Sequence, residues 1–167
     1  YDGPREDVLP EGAREARKDE KRRQAMRGDW KWFGNVGHLV VGHECRFHLT
    51  TQVGKYLVST VGQWWPGRIS REIHAKVYDP KWLEKNGNLK GDHFDAVYFE
   101  RFGYEEIGAG RTFETMVFKA GNPCTEKGCG CGLPKIDGEE LDADSYNDAK
   151  SATDGHMKMC EKFEESQ

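Results

Sequence analysis

Apolar and polar residues alternate along 39–53: Leu39, Val41, His43, Cys45, Phe47, Leu49, Thr51 and Val53 share one face, while Gly42, Glu44, Arg46, His48, Thr50 and Gln52 fall on the other. A repeat of two over that length predicts a strand with one buried face. Gly54-Lys55 supplies a two-residue turn with glycine first, and 56–61 predicts the returning strand of a hairpin. Residues 72–78, with Ile73, Ala75 and Val77 on one face, read as a further strand, as do 94–99 and 112–118. The total is about five strands, enough for a small, mostly antiparallel sheet. Residues 62–70 read as an aromatic loop around Trp64-Trp65-Pro66-Gly67. Asp79-Pro80 predicts the cap and first position of a short helix through Trp82 and Leu83 that Gly87 closes. Residues 86–91 and 103–110 read as loops; Gly108-Ala-Gly110-Arg111, before a strand, would suit an anion contact and reads first as a turn. Trp30, Trp32 and Phe33 are placed to seal one end of the core.

The two ends of the chain break this pattern. Residues 11–27 carry seven basic against four acidic side chains and almost no apolar ones, so a helix there lacks a stripe to pack on a core. The prediction is a charged arm over 1–28 that projects away, either solvated or docking on a partner through residues such as Arg22 and Arg23. At the other end, 136–148 reads as acidic and irregular. Ser151-Ala-Thr-Asp154 has the form of a capping box, and a helix follows to about residue 164. Ala152, His156, Met159, Cys160 and Phe163 share its inner face at helical spacing. The fold class expected is α+β: one domain over 29–167, with an antiparallel sheet covered by the C-terminal helix and a cysteine-rich loop at 123–133.

Composition narrows the function classes. The formal net charge of −4 argues against a dedicated nucleic-acid binder and leaves any such contact to the basic arm. No apolar run approaches the roughly 18 residues of a membrane span, so no membrane partner is expected. No secretory leader is read at the start, and the cysteine count of five is odd; both favour reduced thiols and a cytosolic setting.

Three of those cysteines, Cys124, Cys129 and Cys131, lie within eight residues in a C-x4-C-x-C pattern interrupted by glycines. Thiolates so close can turn toward one ion, and zinc prefers four ligands of this type in a closed tetrahedral site. His156 and Cys160, four apart on one helix face, are the two candidates for the fourth ligand. Such a site would be a structural zinc fastening the loop to the terminal helix. Reduced surface cysteines without a metal are the competing reading, and His156 and Cys160 also suit a packed core. A second cluster, His43, Cys45 and His48, invites a Cys/His catalytic reading; strand alternation puts His48 on the opposite face, and no oxyanion or phosphate-binding motif accompanies it. Trp64, Trp65 and Arg68 suit stacking on a ring or, as the negative net charge favours, a protein interface.

Tyr56-Leu-Val-Ser-Thr-Val-Gly62, Gly110-Arg-Thr-Phe-Glu-Thr-Met-Val-Phe118, and Tyr146 followed by Ala152 and Gly155-His156 together resemble small proteins encoded in tailed-phage and prophage genomes. The resemblance spans roughly residues 43–163, with the E-T-M-V-F strand its most distinctive part. It implies a phage setting, in the host cytoplasm or the virion, and supplies no catalytic residues. Members with the terminal G-H helix but without the cysteine loop imply that His156 is a packing residue, which moves the fourth ligand toward Cys160. The function expected is a non-enzymatic accessory protein that binds a host or phage protein. A virion component (capsid or tail) and a metal- or Cys/His-dependent hydrolase or nuclease are the alternatives.

Overall fold

The computed structural model describes residues 30–33, 44–127, 129 and 131–166. The predicted arm, with Arg22 and Arg23, lies outside them, as does His43. The predicted hairpin is present as β2 (Cys45–Val53) and β3 (Tyr56–Trp64). Their register pairs Val53 with Tyr56 and Cys45 with Trp64. Gly54 adopts φ 54°, the left-handed value that the first position of such a turn demands and that glycine meets without strain.

The other strands are β1 (Trp30–Phe33), β4 (Phe113–Pro123) and β5 (Pro134–Tyr146). They complete a five-stranded antiparallel sheet in the order β1-β2-β3-β4-β5. Four helices occur among the described residues. Helices α1 (Arg68–Tyr78), α2 (Pro80–Asn86) and α3 (Asp92–Phe102) connect β3 to β4, and α4 (Ala149–Glu164) follows β5 and packs across the sheet.

Five strands were expected and five are found, but two of the members differ. Residues 72–78 and 94–99 are helical. In α1 the alternation of Ile73, Ala75 and Val77 coincides with a helical pattern: Arg71 and Ala75, four apart, turn inward, and Arg68 pairs with Glu72 across one turn. In α3, Phe94, Tyr98 and Phe102 stand at steps of four, and Phe94 and Tyr98 join Ala75 in a core lined by Trp82, Leu83, Leu89 and Phe99. Two strands were missed: β1, whose residues were read only as sealing the core, and β5, predicted as irregular. Most residues of β5 are exposed, so no buried face imposes a repeat of two, and its backbone pairing to β4 leaves no trace in the side-chain pattern. Its acidic side chains suit an edge strand that must not pair with other chains.

Helix α2 forms as predicted, with the Asp79 carboxylate accepting from the Trp82 amide at 3.1 Å, Pro80 first and Gly87 closing it. The cap of α4 lies three residues earlier than predicted. Asp148, not Ser151, is the capping residue, and its carboxylate accepts from the Ser151 amide at 2.8 Å. The inner face of α4 is as predicted, with Ala152, His156, Met159 and Cys160 buried and Phe163 edge-on to Tyr56. Gly155 lets the helix sit close: a Cβ there would lie 2.0 Å from the Tyr146 hydroxyl. Of the residues expected to seal the core, Phe33 packs on Leu57, while the Trp32 ring lies 5.9 Å from that of His156 and remains 54% exposed.

Candidate metal centre

β4 and β5 continue past the β2–β3 turn as a two-stranded ribbon. The Ala120 amide donates to the Lys55 carbonyl at the turn, and beyond it Ala120 pairs with Ile136 and Pro123 with Pro134. The cysteine loop closes this ribbon. The Cys124 amide donates to the Leu133 carbonyl at 2.7 Å, and the Cys129 amide donates to the Glu126 carbonyl at 3.1 Å, folding the loop back on itself. Leu133 packs with Phe33 and Ala120 around Leu57, which anchors the base of the loop to the core.

This folding brings the three thiols together. Their sulfurs all lie within 4.8 Å of one another, and Cys129 Sγ donates to Cys131 Sγ at 3.2 Å. Cys124 is buried, Cys131 half-buried and Cys129 exposed. The hydrogen bond to Cys131, and a second to Cys124, hold the Cys129 thiol above its ordinary pKa. The Lys135 ammonium stands beside the cluster, bonded to Glu126 Oε1 at 2.5 Å; that bond first, and the nearby sulfurs of Cys124 and Cys129 last, favour its charged form. Three soft donors at this separation could hold a metal ion. Binding would displace the thiol protons, so affinity falls as pH falls.

Neither predicted fourth ligand joins the trio. Cys160 is fully buried beneath α4 beside Thr51, where burial pushes its thiol up to about 12. Thr51 pairs with Val58, and Val58 with Val117. From Val117 to Cys124 the chain advances seven residues, about 20 Å along a strand. His156 has no free nitrogen to offer: Nε2 is bonded to the Thr51 hydroxyl at 2.8 Å and Nδ1 to the Thr60 hydroxyl at 2.7 Å. Burial lowers its pKa to about 4. Both residues belong to the sheet–helix core. The loop is therefore not fastened to α4, and its anchor is the Leu57 cluster.

Of the second predicted cluster, Cys45 and His48 are described and His43 is not. Cys45 is buried and its thiol pushed up to about 11, chiefly by that burial, which is the reverse of what an attacking thiolate needs. The predicted aromatic loop is also reassigned. Trp64 ends β3, and Trp65 is packed against Phe99 with ring centroids 4.5 Å apart, under the Arg46 guanidinium. Arg68 is engaged internally, with its guanidinium over Phe94 and bonds to Glu72 and to the carbonyls of Gly87 and Leu89. Arg71, 4% exposed and paired with Asp95 at 2.6 Å, stands among the same rings.

One feature was missed from the sequence. Ile69, Ile73, Val77 and Tyr78 of α1 are exposed large apolar residues, and the first three stand in one row at steps of four. The signal was present as that spacing, but the alternation of 73, 75 and 77 masked it. No described helix is long and apolar enough to cross a membrane. Comparison with protein-family models, with curated proteins and with solved structures finds no match to this chain.

Proposed function

We propose that the chain is a non-enzymatic phage accessory protein that binds another protein, with zinc at the cysteine loop. The observation that carries the binding role is the outward row on α1. Ile69, Ile73 and Val77 are 73%, 59% and 68% exposed, and Tyr78, exposed as well, ends the helix beside them. Scattered exposed apolar residues are ordinary, but a continuous row on one helix is the kind of surface that a partner covers. The buried, protonated thiols of Cys45 and Cys160 favour this reading over cysteine chemistry. Zinc is favoured at the loop because the three donors are all thiols. The phage setting, in the host cytoplasm or the virion, rests on the resemblance carried by 56–62, 110–118 and the Tyr146-to-His156 segment.

Ile73→Asp tests the binding role. The side chain faces outward, so the substitution should change stability by no more than about 0.5 kcal/mol. Immobilised wild-type protein is expected to capture a partner from phage-infected cells that the Ile73→Asp protein fails to capture. Equal capture by both proteins would move the interface away from α1.

A further inference from the structure

The loop at the end of the β4–β5 ribbon gathers its thiols in a gradient of exposure, with Cys124 buried, Cys131 half-buried and Cys129 at the surface. Cys129 Sγ donates to Cys131 Sγ at 3.2 Å, and Cys124 Sγ lies within 4.8 Å of both. A disulfide holds its sulfurs about 2 Å apart, so the Cys129–Cys131 pair has only about 1 Å to close. That movement falls inside the loop, whose base is pinned where the Cys124 amide donates to the Leu133 carbonyl. The remaining cysteines cannot compete for an outside reagent, since Cys45 is 6% exposed and Cys160 not at all.

We propose that Cys129 and Cys131 form a reversible thiol–disulfide site that exchanges with low-molecular-weight disulfides of the glutathione class. The proposal concerns the loop of the zinc reading but does not rest on it. Cys131 accepts the hydrogen of Cys129, so its sulfur is the better able to carry negative charge and begins the exchange. Its thiolate attacks one sulfur of the outside disulfide, and a first thiol leaves. Cys129 then gives up its proton and attacks the Cys131 sulfur, and the second thiol leaves. The two protein thiols are oxidised to one disulfide, and the outside disulfide is reduced to two thiols that carry away the two protons. Exposed disulfides are the readily reduced ones, so an excess of the outside thiol reverses the reaction. Thiolates, not disulfides, ligate metals, so closing the pair removes two of the three donors that could hold an ion.

Mass spectrometry reads the exchange directly. The full chain, reduced and freed of metal by a chelator, is equilibrated in glutathione buffers of rising oxidised fraction, and the remaining thiols are alkylated in denaturant. The expected result is a loss of two hydrogens per chain with no glutathione retained. Peptide mapping should place the link between Cys129 and Cys131 and find Cys124, Cys45 and Cys160 alkylated. Excess reduced glutathione should restore the starting mass, and Cys124→Ser should be oxidised over the same buffer range. A glutathione adduct that persists without an internal link would overturn the proposal, as would a link that includes Cys124. All five cysteines alkylated in every buffer would also overturn it. Metal content measured before chelation answers the zinc reading separately, so either reading can fail while the other stands.

Discussion

His156 is fully buried with both ring nitrogens bonded to threonine hydroxyls, and Thr60 passes the network on to Thr115 at 2.6 Å. This is a neutral histidine used as a polar core group, because a buried imidazolium would lack a counter-charge. Its folded pKa of about 4 lies below the ordinary 6.5. Between those values the unfolded chain takes up a proton that the folded chain refuses. The contribution to stability is therefore complete above pH 6.5 and is lost as pH falls toward 4, by about 3 kcal/mol in all. Urea unfolding at pH 7 and at pH 4.5 is expected to show a larger drop for the wild type than for His156→Gln, whose side chain carries no titrating group. Equal drops would show that His156 is not the source. The sequence placed His156 on the inner helix face correctly, because a helical repeat reports burial. It could not exclude a role as a ligand, because that depends on which hydroxyls two different strands present to the ring.

At the scale of elements, legibility followed how strongly one buried face shaped the pattern. The hairpin of β2 and β3, the Asp79-Pro80 helix and the inner face of α4 all carry local signals that tertiary packing leaves intact. Helix α1 was misread because it buries only a narrow strip, Arg71 and Ala75, and exposes isoleucines that a solvated helix would not normally show. Strand β5 was missed because it is an edge with little buried surface and its order comes from β4. The N-terminus of α4 offers a direct check. Asp148 accepts from the Ser151 amide, whereas Asp154 forms an exposed ion pair with Lys150. Asp148→Ala should cost about 1 kcal/mol as a lost cap, and Asp154→Ala less than about 0.5 kcal/mol as a lost surface pair. Chemical denaturation of the two variants measures this. The reverse order would put the helix start back at Ser151.

For the molecule as a whole, the fold separates two jobs. The sheet with α4 is a sealed core in which His156 and Cys160 are structural, and the β4–β5 ribbon carries three sulfurs out beyond the β2–β3 turn. The cysteine spacing pointed to that trio from the sequence alone, since residues so close in the chain need only a loop to meet. The predicted fourth ligand on α4 did not follow, because Cys160 lies beside Thr51, in the row that reaches Val117, and the loop begins farther along β4. Metal held at the ribbon would order it without being required by the core, so chelation should loosen the segment around 120–136 and leave the α4–sheet unit folded. The most direct test is the metal content of the purified, reduced protein, followed by thermal unfolding with and without a chelator. One zinc per chain, with a lower unfolding temperature after chelation, is the expected result; no zinc and an unchanged unfolding temperature would contradict the metal centre.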